Sequence, residues 1–371
     1  MATTRRSTSR ISRADGAPEP TTGRLILDPT IALFLLQDGI ISGAIYALLA
    51  VALVLVFAVT RVILVPQGDF VTFGGLTLAA LEAGRVPGAI WLLAVLAVAA
   101  ASMDLVAGLR QGAVHKALLD VLRNLIPAGV IVGLVYALAP LELGLAVNIL
   151  LCIAVIVPMG PYLYRIAFQP LADASVLVLL IAAVGAHLGL TALGLVIFGA
   201  EGFRTSPLTD FSVTVGPMLI TGQSMLVVGT TLLLLAALAL FFGRTLIGKA
   251  LRASAINRRG ARLVGIPTVL SGRIAFAMAA AIGVVSAVLV APLTTLYYDS
   301  GFIIGLKGFV AAIIGGLAAY PPAVAAALAV GILESFSSFW ASAFKEVIVF
   351  AAILPVLLWR SIVTPHSDEE E

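Results

Sequence analysis

Three groups of residues in this chain have types and spacings that bear on chemistry. The run from Gly243 to Ala250 (GRTLIGKA) stops one residue short of a phosphate-binding loop. That loop needs G-x-x-x-x-G-K followed by Ser or Thr, whose hydroxyl holds Mg²⁺, and Ala250 stands in that place. The run also follows a long apolar segment where a strand is needed to aim backbone N–H groups at phosphate, so no nucleotide site is expected. His115, His187 and His366 lie far apart without an acid or cysteine at ligand spacing, and the single Cys152 sits in an apolar run, so neither a metal site nor a disulfide framework is expected. No nucleophile, base and orienting group occur together, which argues against an enzyme. The third group is polar residues set in apolar surroundings: Gln67, Gly68 and Asp69; His187; Lys307 and Glu334. Polar groups at membrane depth are costly and face a cavity, a partner or each other, so each is a candidate site.

The elements that must position these residues follow from composition. Of 371 residues, 61% are hydrophobic and 11% charged, with mean hydropathy +1.13. A soluble domain is nearer half and a quarter. The fold class is therefore an all-α polytopic membrane protein of about 8–10 transmembrane helices, at ~20 residues per span. The net charge of +3 reads as topology signals and not as a nucleic-acid surface. Charge-poor runs place spans near 38–59, 88–108, 125–141, 144–163, 174–200, 211–243, 274–298, 302–319, 321–341 and 346–359. The short piece 66–83, opening on Pro66-Gln67-Gly68-Asp69, reads as a broken or re-entrant segment. Residues 1–24, rich in Ser, Thr and Arg, read as a disordered cytoplasmic tail, neither signal nor transit peptide, and 361–371 as an acidic tail.

Between 244 and 273 there are seven basic residues and no acid, which makes that loop cytoplasmic. Arg165 and the 110–124 basic residues then fall inside and 200–217 outside; ten crossings with both chain ends inside satisfy the charge pattern if 66–83 does not cross. Residues 108–124 alternate apolar and charged faces as an interfacial helix does. The pairs Gly39/Gly43, Gly129/Gly133 and Gly185/Gly189 are spaced for close helix packing in lipid.

The 244–273 loop is long for a connector and ordered within. Lys249, Arg252, Arg259 and Arg262 recur at helical spacing, and Gly265-Ile266-Pro267 supplies a terminating glycine followed by proline. A short basic helix standing off the membrane is suited to docking into a cleft of another protein. GKALRASA (248–255) with ARLVGIP (261–267) resembles the coupling-helix region of the inner-membrane permeases of bacterial ABC uptake systems, in particular the branched-chain amino acid permease family. YALLA (46–50), RIAFQPL (165–171), FGAE (198–201), GLKGFVAAIIGGL (305–317), GILES (331–335) and FKEV (344–347) resemble further segments of that family.

The resemblance covers about 38–83 and 145–360; residues 88–143 read as an insertion of two spans and the interfacial helix. It implies a permease subunit in a bacterial inner membrane, without hydrolytic chemistry of its own. Its implied partners are a second permease, cytoplasmic ATPase subunits that carry the ATP and Mg²⁺, and an extracytoplasmic solute-binding protein. Coupling to the ATPase would fall to Lys249, Arg252, Arg259, Arg262 and Gly265. The chain departs from the family in having LVPQG (64–68) before Asp69 and Ile256-Asn257-Arg258 in a more basic loop. Gln67, Gly68 and Asp69 are candidates for the substrate pathway, with His187 beside them or as a packing residue. Lys307 and Glu334 suit a structural ion pair between consecutive segments. Two alternatives stay open: a sugar-type permease, and an ion-coupled transporter with Asp38, Asp104 or Glu334 as proton relay.

Overall fold

The computed structural model describes residues 28–363 apart from Glu142, Pro217 and Ala318, so both predicted tails lie essentially outside the described residues. In chain order the helices are α1 (Pro29–Thr60), α2 (Gln67–Glu82), α3 (Ala89–Arg110), α4 (Val114–Leu138), α5 (Leu145–Ile156), α6 (Met159–Leu163) and α7 (Val176–Phe198). A hairpin of β1 (Ser212–Val215) and β2 (Met218–Thr221) leads into α8 (Gly222–Arg244). Then come α9 (Leu246–Ile256), α10 (Arg258–Leu263), α11 (Thr268–Val290), α12 (Ser300–Ile314), α13 (Tyr320–Trp340), α14 (Lys345–Ala351) and α15 (Ile353–Val363). Among the described residues nine helical segments are long and apolar enough to span a bilayer, counting α5–α6 with the turns to Leu171 as one and 342–359 as another.

Helix directions follow from which ends meet. Leu55 and Val59, late in α1, pack with Phe242, Leu251 and Ala275 beside the basic loop. Early in α1, Gln37 Nε2 donates to the Leu219 carbonyl of the hairpin on the other face. With the basic loop cytoplasmic, α1 therefore starts outside and runs inward. This corrects the expectation of both chain ends inside, which counted the arginines before residue 25; the packing of Leu55 and Val59 overrides that charge cue.

The segment 66–83 crosses instead of re-entering, as the helical half of a broken span. Its α2 is an unbroken helix whose end reaches the outer face, where Glu82 accepts from Ser206 N–H at 3.2 Å. Its start lies deep, where Gln67 Nε2 donates to the Ala279 carbonyl halfway along α11 at 3.1 Å. Non-helical residues 61–66 make the inner part of this crossing. The second half of the chain repeats the device upside down: α11 runs outward, 291–299 turn back without helix, and α12 begins at depth and runs inward. Accordingly α2 packs on α11 and α12 on α1. The two short helices meet at their N-termini, where Gly68 lies against Gly301 and Gly305 so closely that a Cβ on Gly68 would strike the Gly301 carbonyl. Inverted pairs of discontinuous helices are how transporters bring helix N-termini to mid-membrane.

Between α2 and α5 stands the α3–α4 hairpin, whereas α12 leads directly to α13. The expected interfacial helix over 108–124 is not a separate element. Gly112, at φ 67°, makes the turn after α3, and Val114 to Leu138 continue as one helix. Of the glycine pairs, Gly39 and Gly43 lie against the α13 backbone at Ile332 and Leu328; Gly129, Gly133, Gly185 and Gly189 have open space where a Cβ would sit, so among the described residues they bring no helices together.

Candidate functional site

Two regions carry polar chemistry, one on the cytoplasmic face and one reached from outside. On the cytoplasmic face the loop is two helices, not one. Asn257, extended at φ −146°, ends α9 and caps α10, its Oδ1 accepting from Gly260 N–H at 2.8 Å. Thr245 caps α9 in the same way through Gly248 N–H at 2.9 Å. Past α10, Gly265 at φ 84° lets Ile266 N–H reach back to the Ala261 carbonyl, and Pro267 starts the outward turn into α11. Removing the Asn257 cap should loosen α10 by about 1 kcal/mol. In Asn257→Ala, hydrogen exchange at 258–263 should rise several-fold while that of α11 stays unchanged.

The basic residues of this loop divide by what they touch. Arg252 donates to the Phe242 carbonyl, Arg258 to the Ala172 carbonyl at 2.9 Å, and Arg262 to Thr268 Oγ1 at 2.9 Å. These three brace the two short helices against α8, the end of the α5–α6 span and α11. Lys249 and Arg259 are exposed and held by nothing within the described chain. The sequence reading missed the apolar residues at the tip: Ile256, Leu263 and Val264 are 83%, 89% and 76% exposed. They lie in the loop between α8 and α11, outside the spanning segments, and their signal was the bare LV of ARLVGIP.

The second region is a cavity of about 500 Å³ between α1, α12, α13 and the start of α8, on the outer side of the bilayer. Asp38, Ser42 and Tyr46, at i, i+4 and i+8, present one face of α1 to it; Ser300, Ile303, Ile304 and Lys307 present one face of α12. Lys307 Nζ lies 2.5 Å from Glu334 Oε1 on α13 and 3.1 Å from Glu346 Oε1 on α14. Tyr46 Oη donates to Glu334 Oε2. The structure thus brings Lys307 and Glu334 together and adds Tyr46 and Glu346.

Gln67, Gly68 and Asp69 do not line this cavity. They are buried at the start of α2, where both carboxylate oxygens of Asp69 lie 2.9 Å from His187 Nδ1 on α7. The His187 ring stacks on Phe302 of α12 at 4.8 Å. Asp69 and His187 are therefore one unit joining α2, α7 and α12. Asp104, one of the proposed relay acids, pairs with Arg165 at 2.5 Å and with Asn124.

A family model described as the permease component of branched-chain amino acid transport systems matches residues 35–357. The chain belongs to this permease family. It is 28% identical over 208 residues to the high-affinity branched-chain amino acid transport system permease protein BraD of Pseudomonas aeruginosa, covering 54% of this chain and 68% of that protein. It is 30% identical over 201 residues to the corresponding protein LivH of Escherichia coli, covering 52% of this chain and 65% of LivH, and matches LivH of Salmonella typhimurium at the same identity and coverage. The aligned stretch thus spans about two thirds of the relatives' length. No solved structure matches the chain. The permease is a multi-pass membrane protein, and its family is one of transporter subunits and not of enzymes.

Proposed function

We propose that the permease is the membrane-spanning subunit of an ATP-driven importer in a bacterial inner membrane, moving branched-chain or similar small amino acids inward. A binding protein delivers the solute at the outer face. A second permease completes the pathway, and cytoplasmic ATPase subunits hold ATP and Mg²⁺, the chain itself doing no hydrolysis. The observation that carries this reading is the braced cytoplasmic tip. Arg252, Arg258 and Arg262 tie α9 and α10 rigidly to three membrane segments, so a push on the tip reaches α8 and α11 without being absorbed by a soft loop. Ile256, Leu263 and Val264 offer an apolar anchor rimmed by Lys249 and Arg259, the pattern of an interface centre with a charged edge. A sugar-type permease is not favoured, since the matching family is the branched-chain one. An ion-coupled relay is not favoured either: the matching family is the branched-chain permease one, and of the candidate relay acids Asp104 pairs with Arg165 and Glu334 with Lys307.

The test is Leu263→Asp. A charge placed in the centre of an apolar interface costs about 2 kcal/mol or more, so ATPase co-purification and leucine uptake in proteoliposomes should each fall at least tenfold. Lys249→Ala, at the rim, should cost less than threefold. Undiminished ATPase retention and uptake in Leu263→Asp would sink the coupling role.

A further inference from the structure

A cavity of about 530 Å³ opens on the cytoplasmic side, between the end of α3 and the turns that follow α6. Ala172, just past those turns, is the residue whose carbonyl takes Arg258 of the basic loop, which fixes the side. Arg110 and Arg165 are the charged residues of the wall, and no acid lines it. Arg165 is answered from behind: its Nε donates to Asp104 Oδ1 at 2.6 Å, and Asn124 donates to the other carboxylate oxygen at 2.7 Å. Arg110 has no ion-pair partner within 4 Å among the described residues, and Asp173, three residues past the wall, lies 3.7 Å from Arg262. Two cations less the one acid behind them leave a single positive charge, which a monoanion complements.

The layout of the wall makes that anion part of a lipid. Met103, Val106 and Arg110, at i, i+3 and i+7, present one face of α3 to the cavity, apolar toward the bilayer and basic at the helix end. Acyl chain followed by phosphate is the same order, and basic pockets between membrane helices on the cytoplasmic side hold anionic headgroups in this way. A free phosphate would use the arginines and leave the apolar stretch bare. Gln169 ends in an amide whose Oε1 has no hydrogen-bond partner, and a turn about its soft terminal torsion offers that acceptor to a headgroup hydroxyl. The walls are pinned by bonds of their own: Tyr162 Oη donates to the Asn124 carbonyl at 2.7 Å, and Asp104 joins Asn124 to Arg165. We propose that this cavity seats one anionic glycerophospholipid of the inner leaflet. Its phosphodiester lies between Arg110 and Arg165, its headgroup hydroxyls at Gln169, and one acyl chain along Met103 and Val106. The α3–α4 hairpin, which has no counterpart between α12 and α13, is thereby joined to the rest of the chain partly through a lipid.

The full-length permease is purified in a mild detergent, stripped of lipid and titrated with phosphatidylglycerol, phosphatidylethanolamine or phosphatidylcholine of the same acyl chains, while native mass spectrometry counts the lipids bound. The first phosphatidylglycerol should bind about tenfold more tightly than the first molecule of either lipid without net charge. Arg110→Gln should remove that preference, the loss of one charge-assisted hydrogen bond. Arg123→Gln, which takes a cation from α4 outside the wall, should change it by less than about twofold. Val106→Trp, which fills the apolar stretch and keeps both arginines, should weaken the first phosphatidylglycerol by about tenfold as well. A phosphatidylglycerol with a diazirine in its acyl chain should label the peptide holding 102–111 in the wild type and lose that label in Val106→Trp. Equal binding of the three lipids, or a preference unchanged in both Arg110→Gln and Val106→Trp, would overturn the seat. Displacement of the first lipid by millimolar glycerol 3-phosphate or inorganic phosphate would assign the arginines to a free phosphate and overturn the lipid.

Discussion

Lys307→Met should destabilise the permease by about 3–5 kcal/mol, the cost of stranding buried charge when one partner of a pair is removed. Lys307 is 5% exposed and lies between two carboxylates. Without it, Glu334 and Glu346 face each other across a gap with Tyr46 Oη as the one remaining donor among the described contacts. Neutralising the second partner separates this effect from packing. In Lys307→Met with Glu334→Gln the amide still accepts from Tyr46, and Glu346, whose side chain is 36% exposed, can turn toward water, so more than half of the loss should return. Cys152, the chain's single cysteine, supplies the readout, since it is fully buried with its thiol against the Gly74 carbonyl. A thiol-reactive fluorophore in detergent reports unfolding directly. Equal melting of the single and double variants would show that the pair contributes shape and not charge compensation.

The spans were legible because each is a long apolar run, and the bilayer imposes that pattern one segment at a time. What joins the segments has no such signature. The approach of Asp69 to His187 links positions 118 apart in the chain, and that of Tyr46 to Glu334 positions 288 apart; neither pair has a spacing that helical periodicity marks. Lys307 and Glu334 were readable because they stand in consecutive apolar segments, where two lone opposite charges have few other partners. The direction of α1 was misjudged because arginines before residue 25 were weighed as topology signals, while Leu55 and Val59, which dock that helix end beside the basic loop, look like any other lipid-span residues. In the loop itself, attention to charge found Arg252 and Arg262, which turn out to hold the helices to the membrane segments. It passed over Leu263 and Val264, because exposure is a tertiary property that two apolar letters do not announce.

Gly68→Ala should be among the most damaging single-methyl changes in the permease. The new Cβ would land on the Gly301 carbonyl, and a Cβ at Gly301 would land on that of Gly68, so the collision is backbone against side chain in both directions and no rotamer relieves it. Overpacking of this kind costs about 1–3 kcal/mol where neighbours can shift, and occasionally more. Here the neighbours are the N-termini of two half-helices already wedged between α1 and α11, so the upper end or beyond is expected. Gly301→Ala should match it. The double variant should cost less than the sum, because the first substitution already parts the two helices. Gly129→Ala and Gly133→Ala are the internal contrast. Both lie within α4, with nothing within 4 Å of the added carbon, so each should be neutral or stabilise by roughly 0.5–1 kcal/mol through helix propensity alone. The Cys152 melting assay ranks all four. If Gly68→Ala melts no earlier than Gly129→Ala, the two half-helices are not in the contact described.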